Sequence, residues 1–199
     1  TTLEDVTFTN NILRHASVGI NMEGSDYIHL SVYLKRVAIR NNLFVDMGGT
    51  AWGDNFLMQP YPVLVGALRN DGTAFTEPGA EDIHIEHNTL VASNSTGLFV
   101  MPSAQTVKAT GLIVRYNLSM HGLYGAFANG GTWGTAALDG VFSGYVFAGN
   151  VLWGAPWPFT PDTYPAGNYF PDLESDIGYV DLAGGNYRLA PSSPYKGTA

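Results

Sequence analysis

The stretch VAIRNNLF, residues 37–44, alternates apolar and polar residues and then places two asparagines where a strand would otherwise continue. Its pattern recurs four times along the chain, as VTFTNNIL (6–13), IHIEHNTL (83–90), LIVRYNLS (112–119) and YVFAGNVL (145–152). This recurrence predicts a repeat architecture, in which each phrase forms the same piece of structure in a successive layer.

Each phrase combines a period-two apolar pattern with one asparagine at a fixed place. The asparagines, spaced 31, 46, 29 and 33 residues apart, are Asn11, Asn42, Asn88, Asn117 and Asn150. Apolar residues lie three and five positions before each of them, which predicts a strand with one face in the core. Asparagine suits the end of such a strand because its side chain bonds to nearby backbone groups and tolerates unusual backbone angles. If the layers stack, the five asparagines form a ladder of hydrogen-bonded side-chain amides.

Composition and charge narrow the class of protein. Of 199 residues 45% are hydrophobic and only 13% are charged, and 24 are glycine, which predicts a folded domain with little amphipathic helix. The net charge of −8 argues against nucleic acid and anionic membranes as partners, because both would be repelled. No apolar run reaches the length of a membrane span, and the absence of cysteine removes disulfides and thiolate metal sites. Neutral partners fit this charge best.

Two solenoid architectures can produce such a repeat. The phrases approximate a leucine-rich repeat, because apolar residues also fall three positions before each strand, at Leu3, Leu34, Ala80, Ala109 and Phe142. Against this architecture, the intervals vary from 29 to 46 residues, at or beyond its upper limit of about 29. Further strand-like stretches, such as VGINM (18–22) and TGLFVM (96–101), stand where that family places a helix or a turn. A parallel coil of three short strands, whose turns accept loops of any length, fits better.

The order of strands resembles the pectate-lyase-like superfamily of bacterial β-helix proteins: a glycine-apolar strand, a turn, a V-x-I-x-x-N strand and a short third strand. The tail DIGYVDLAGGNYRLAPSSPYKGTA (176–199) is similar to the closing segment that many of these proteins carry. The resemblance implies an all-β chain that forms a right-handed parallel β-helix with irregular coils and a C-terminal cap. It also implies a secreted or cell-surface bacterial protein.

The prediction divides one domain into coils over residues 1–153 and a C-terminal capping segment over residues 154–199. Residues 154–172 hold five of the eleven prolines, which cannot donate to a ladder and therefore suit a segment that leaves the coils. At the other end the repeat begins at once, with no sequence suited to a cap. We therefore expect the C-terminal portion of a longer chain, with a partner segment over the open N-terminal coil as the alternative.

Four polar side chains are candidates for catalysis. In the aligned strands the outward positions place Arg40, Glu86 and Arg115 in one line beside His84. A histidine, a carboxylate and two guanidiniums could transfer a proton and bind a sugar carboxylate. The alternative is a surface ion-pair ladder between stacked strands, which contributes little energy.

Acidic residues follow the glycine-apolar strands in the predicted turns, at Glu23, Asp26, Asp54 and Asp71. The resemblance implies a substrate groove along such turns, sometimes with calcium held by carboxylates, and calcium requires oxygen ligands. No D-x-D-x-D-G loop occurs, so no metal site is assigned. No cofactor is expected, and a calcium ion held by the turn carboxylates is the alternative.

Aromatic residues add candidates for substrate binding. The indole rings of Trp52 and Trp133 could serve as flat platforms for sugar rings, alongside the carboxylates of Asp54 and Asp71. The alternative is that the aromatic side chains fill the coil interior or pack the longer loops.

These features favour a domain that binds polysaccharide or a cell-surface glycan, or that processes it as a lyase or glycosidase. The alternative is a non-catalytic structural or adhesive rod. An enzyme predicts a groove that holds close polar groups with perturbed pKa values, whereas a rod predicts scattered, solvated charges.

Overall fold

The computed structural model describes residues 2–16, 18–23, 33–47, 52, 61–66, 80–92, 99–101, 108–128, 131–156 and 158–198. These residues are mostly strands, arranged as three five-stranded sheets and one terminal hairpin. The prediction of a predominantly β chain is confirmed.

The first sheet contains the strand of each repeat phrase and is parallel throughout. Its strands, in spatial order, are β1 (Thr2–Thr9), β4 (Tyr33–Arg40), β7 (Glu81–Glu86), β10 (Ala109–Arg115) and β14 (Phe142–Ala148). Strand order follows chain order, so each repeat lies directly beside the next.

The second sheet follows the asparagines and is also parallel. It consists of β2 (Ile12–Ala16), β5 (Leu43–Met47), β8 (Thr89–Ala92), β11 (Leu118–Met120) and β15 (Val151–Trp153).

The third sheet is parallel apart from its last strand, which pairs antiparallel with its neighbour. It consists of β3 (Val18–Glu23), β6 (Tyr61–Gly66), β9 (Phe99–Met101), β12 (Ala126–Ala128) and β13 (Thr132–Trp133). The chain visits the three sheets in rotation, so we call each set of successive strands from the first, second and third sheets a coil. A leucine-rich repeat would have one sheet opposite helices or turns, and the described residues form three sheets instead.

The period-two pattern of the phrases explains the core. In the first sheet Val37, Ile83 and Leu112 lie side by side in register, and each is buried. In the second sheet Phe44 pairs with Leu90, and both are fully buried. Burial of an aliphatic side chain contributes about 1.5–3 kcal/mol, so these columns supply much of the stabilisation.

The turn between the first and second sheets has the same backbone in every coil. The residue before each of the five predicted ladder asparagines has a positive φ, between 54° and 67°, at Asn10, Asn41, His87, Tyr116 and Gly149. This left-handed conformation at a single residue turns the chain direction, so that the next strand starts directly after the asparagine. Asparagine and glycine adopt it most readily.

A helix near the last coil departs from the strand pattern. Helix α1 (Gly134–Val141) lies within the 129–144 segment, in which the sequence shows no periodic pattern that would predict a helix. Its residues Ala137, Leu138 and Val141 are fully buried. These side chains join the main core together with Tyr164 and the partly buried Phe170. The helix and the two rings therefore cover the core beside the last coil.

The C-terminal part ends in an antiparallel hairpin, β16 (Tyr179–Asp181) and β17 (Asn186–Leu189). Two short 3₁₀ turns precede it, at Pro161–Thr163 and Glu174–Ile177. A smaller apolar cluster around Ile177 and Trp153 attaches Tyr179 and Leu189 of the hairpin to the second sheet. This attachment brings the hairpin tip back toward the first coils.

Candidate functional site

The five predicted ladder asparagines lie in one column at the corner between the first and second sheets. The Oδ1 atom of Asn42 accepts hydrogen bonds from the backbone N–H and the Nδ2 of Asn11, at 3.0 and 3.1 Å. The same pair of bonds joins Asn42 to Asn88, Asn88 to Asn117 and Asn117 to Asn150, at 2.9–3.1 Å. Each amide from Asn42 onward also donates to a carbonyl of the preceding coil, such as Phe8 O at 2.9 Å for Asn42.

The ladder has a sixth member, which the sequence analysis missed. Asn168 Oδ1 accepts from the backbone N–H and the Nδ2 of Asn150, both at 3.0 Å. Its neighbour Tyr169 pairs in parallel with Val151. The signal was present as G-N followed by two apolar residues, since GNYF (167–170) matches GNVL (149–152). The column of amides thus continues into the segment that the sequence assigns to the cap.

The charged candidates are adjacent, as their alignment implies. Arg40, Glu86 and Arg115 are in register on β4, β7 and β10. Nε of Arg40 lies 2.6 Å from Glu86 Oε2, and Nε of Arg115 hydrogen bonds to Oε1. The Glu86 side chain is only 3% exposed, whereas the two arginines are 42% and 44% exposed. Two partly solvated guanidiniums therefore enclose one buried carboxylate.

This enclosure sets the ionisation of Glu86. Burial by itself raises the pKa of the carboxyl, but hydrogen bonding to Arg115 and the charges of Arg40 and Arg115 outweigh it, so that the pKa is lowered. Both carboxylate oxygens are occupied by guanidinium donors. Glu86 is consequently a charged acceptor at neutral pH and poorly suited to donate a proton.

His84 has both ring nitrogens in polar contacts. Its Nδ1 lies 2.8 Å from Arg40 Nη2, and its Nε2 lies 2.8 Å from Asp82 Oδ1. Since arginine only donates and a carboxylate only accepts, the consistent assignment has Nδ1 as acceptor and Nε2 as donor. The imidazole therefore links Asp82 to the Arg40–Glu86–Arg115 group, and acting as a base would require it to leave Arg40.

The tryptophan candidates lie apart from this column. Trp52 is 45% exposed and stacks on His15, with ring centroids 4.1 Å apart. Trp133 is 36% exposed and meets Phe159 edge to face at 5.5 Å. They are packed against different parts of the chain. Asp26, Asp54 and Asp71 lie outside the described residues.

A groove of about 510 Å³ runs between the asparagine corner and the tip of the C-terminal hairpin. It is lined by Asn10, Asn11, Ile12, Asn41, Asn42, Leu43, His87, Thr89, Gly185, Asn186, Tyr187 and Arg188. The sequence analysis did not find it, because residues 10–12 of one wall and residues 185–188 of the other are separated by almost the whole sequence. The turn residues with positive φ and the hairpin motif GNYR (185–188) were visible separately.

The groove presents hydrogen-bonding groups with no carboxylate among its lining residues. Asn10, Asn41 and His87 are exposed and stack along one wall, with backbone N–H bonds of Asn10 and Asn41 to the next coil fixing their spacing. On the opposite wall Arg188 donates through Nε to Asn186 Oδ1 at 3.1 Å. No acidic side chain in the described part of the chain forms an ion pair with Arg188. Donors, acceptors and a tyrosine ring thus face one another across a corner without acidic side chains.

Aromatic contacts extend this wall beyond the groove. The rings of His87 and Tyr116 stack with centroids 5.1 Å apart, and the guanidinium of Arg115 lies 5.5 Å from the centre of the Tyr116 ring. The corner therefore changes from amides in the first two coils to rings in the next two.

Within the described ranges, no three His, Asp or Glu side chains lie together as metal ligands. No helix in that part of the chain has the length and apolar character needed to cross a membrane. No family model, curated protein or solved structure matches this chain.

Proposed function

We propose that the chain is a right-handed parallel β-helix that binds polysaccharide in the corner groove and does not cleave it. The observation that carries this proposal is the groove itself, in which amide, imidazole and guanidinium groups and a tyrosine face each other. Export to the surface or surroundings of a bacterial cell belongs to the same proposal and depends on the resemblance of strand order and tail.

The finer fold is supported by the rotation of the chain through three sheets. Each connection that returns to the first sheet, such as β1 to β4, joins neighbouring parallel strands. Crossovers of this kind are right-handed in nearly all proteins. Stacked asparagines at one corner and aliphatic columns inside are what such a helix requires.

Glycan binding is supported by the chemistry of the groove. Sugar hydroxyls both donate and accept hydrogen bonds, and Asn10 and Asn41 offer both functions on each amide. Tyr187 supplies an aromatic side chain, and Arg188 supplies donors whose position is fixed by Asn186. The protein carries a net charge of −8, yet none of the groove residues is acidic. Sugar hydroxyls would therefore meet donors and acceptors in the groove and no acidic side chain.

Binding without cleavage is supported by the state of the catalytic candidates. The Glu86 carboxylate is held ionised by Arg40 and Arg115, and His84 is engaged on both sides. Proton transfer to a glycosidic oxygen needs an acid whose pKa lies near the working pH. The geometry therefore favours the ion-pair interpretation of this column.

The experiment is affinity electrophoresis of the full chain in gels that contain neutral polysaccharides, namely galactomannan, xyloglucan and arabinoxylan. We expect retardation by at least one polymer and a Kd about tenfold or more higher for Tyr187→Ala, as for other aromatic hot spots. Asn10→Gly should also weaken binding, because glycine keeps the positive φ and removes only the amide.

Two matched controls accompany these variants. Tyr124→Ala removes a half-buried tyrosine that is stacked on Phe127, outside the groove, and Asp5→Gly removes a side chain at the same φ of 60° as Asn10. Both should bind as the parent chain does. Equal loss in the controls, or no retardation by any polymer, would refute the groove as a glycan site.

A second function, a structural rod, is favoured by the unbroken ladder and the ion-pair column, which tie successive coils together. It predicts no polymer retardation and no change for Tyr187→Ala. Hydrolysis of any of these glycans would contradict both proposals.

A further inference from the structure

The three sheets end at the same side of the molecule. β1, β2 and β3 are the outermost strands of the first, second and third sheets, and all three belong to the first coil. Among the described residues, each pairs with one neighbour, on the side of the second coil. The opposite edge of this coil offers backbone N–H and C=O groups for a further strand in each sheet.

An apolar mouth opens between these edges. A cavity of about 430 Å³ is lined by Leu3, Val6, Phe8, Leu13, Gly19, Ile20, Asn21, Met22, Leu34, Val37 and Ile39. None of the lining residues is charged. In a helix of stacked coils this position is the continuation of the core.

Burial changes abruptly between the first two coils at equivalent positions. Leu3 is 58% exposed, whereas its register partner Leu34 is 4% exposed. Val6 is half-buried beside a buried Val37. The first coil thus carries side chains of core type at a surface that the described residues leave open.

The asparagine ladder shows what chemistry this surface lacks. From Asn42 to Asn168, each Oδ1 accepts two hydrogen bonds from the asparagine of the preceding coil. Asn11 Oδ1 accepts none from the described residues, and its N–H and Nδ2 are already directed at Asn42. A further coil of the same kind would bring two donors to this oxygen.

A second copy of the chain does not meet this requirement. Two copies facing each other through their first coils would bring acceptor to acceptor at Asn11 and place two molecules of net charge −8 in contact. A head-to-tail arrangement would need the core beside the last coil, which helix α1, Tyr164 and Phe170 cover.

We propose that this surface docks a parallel β-coil from outside residues 1–199, with an asparagine in register with Asn11. The backbone N–H and Nδ2 of that asparagine donate to Asn11 Oδ1. Its strands extend all three sheets, and its aliphatic side chains fill the mouth. The same interface already joins the successive coils of the chain, so the partner is defined by the repeat chemistry itself.

The test uses the full chain and a synthetic peptide with the sequence of residues 33–47, YLKRVAIRNNLFVDM. This probe contains one first-sheet strand, the asparagine corner and one second-sheet strand. We expect it to raise the Tm and to displace a dye that reports apolar surface. A probe with Asn42→Ala has the same charge and should bind about three- to tenfold more weakly, because the Nδ2 donor to Asn11 Oδ1 is lost while the backbone N–H remains.

Two chain variants make the site assignment specific. Leu3→Asp places a charge in the mouth and should abolish binding of the probe, whereas Leu173→Asp, at a similarly exposed leucine of 62%, should not. Equal binding of the asparagine and alanine probes would overturn the proposal, as would probe binding to neither variant or to both. A concentration-dependent dimer that Leu3→Asp abolishes would replace it with self-association. Glycan binding in the groove can be measured separately, since none of these substitutions touches it.

Discussion

The Oδ1 atom of Asn88 accepts hydrogen bonds of 3.0 Å from both the backbone N–H and the Nδ2 of Asn42, although 46 residues separate them. This contact is independent of the loop between the two residues, because it depends only on the stacking of consecutive corners. It explains how coils with intervals from 29 to 46 residues retain a common register.

Removal of a central ladder amide should be strongly destabilising. Asn88→Ala deletes a buried side chain, so that the Asn42 donors lose their acceptor and the Ile39 carbonyl loses its donor. This should lower the free energy of unfolding by about 3 kcal/mol. The terminal Asn11→Ala should cost only about 1 kcal/mol, since fewer groups lose a partner. Urea unfolding measures both. Equal losses would mean that the ladder does not act through its buried hydrogen bonds.

Glu86→Gln should destabilise the chain at neutral pH. The substitution leaves Arg40 and Arg115 facing each other without the carboxylate, which should lower the free energy of unfolding by about 2 kcal/mol. This loss is smaller than for a fully buried ion pair, because both guanidiniums are partly solvated. Burial raises the Glu86 pKa, and the arginines lower it further than burial raises it. The charge therefore stabilises the fold above the unfolded pKa of about 4.3.

As pH falls through the lowered folded pKa, this contribution is lost. The unfolding free energies of the parent chain and Glu86→Gln should then converge in acid. A gap that stays constant from pH 7 to acid would show that loss of packing, and not of charge, causes the destabilisation.

His121 should make stability depend on pH in a different window. The residue is fully buried, with Nδ1 donating to Gly122 O at 2.9 Å and Nε2 accepting from the Tyr164 hydroxyl at 2.7 Å. Burial lowers its pKa, against a smaller opposing effect of the Gly122 bond. Because the unfolded imidazole binds a proton near pH 6.5, stability should fall as pH decreases below that value.

This decline should flatten in His121→Gln and persist in His15→Gln, whose histidine is exposed. Stability curves measured between pH 8 and 5 distinguish the two. An unchanged slope in His121→Gln would assign the dependence to other groups.

The glycine beside this histidine is predicted to resist substitution. Gly125 has a φ of +62°, and a Cβ there would lie 1.8 Å from Tyr164 Oη and 2.6 Å from His121 Nε2. Gly125→Ala should therefore cost about 3 kcal/mol or more, from backbone strain and displacement of the buried pair. Gly144→Ala, at φ +70° with open space around it, should cost only about 1–2 kcal/mol of strain. Similar Tm values for the two variants would contradict the clash.

The sequence predicted the parts of the fold that rest on local period. Apolar residues two apart, as at Val37 and Ile39, predict a strand that buries one face, and both side chains are buried. The same alignment placed Arg40, Glu86 and Arg115 together, since equivalent positions of stacked strands are neighbours. The stretches 18–22 and 96–101 were likewise predicted as strand-like and contribute to β3 and β9.

Other features depend on contacts that no local pattern carries. Helix α1 is held by burial against the core, and its eight residues are too few for a periodic signal. Asn168 was missed because the proline-rich stretch around it suggested departure from the coils. The groove exists only because apolar packing of Tyr179 and Leu189 returns the hairpin to the corner.

By itself the sequence determined that the chain is built from stacked short strands with asparagines at one corner, because period and turn preference act over a few residues. Only the tertiary structure decided that the Glu86 carboxylate is enclosed by two guanidiniums and that Arg188 faces Asn10 and Asn41 across a groove. Those relationships depend on side-chain burial and on the path of the returning hairpin, which are properties of the packed chain.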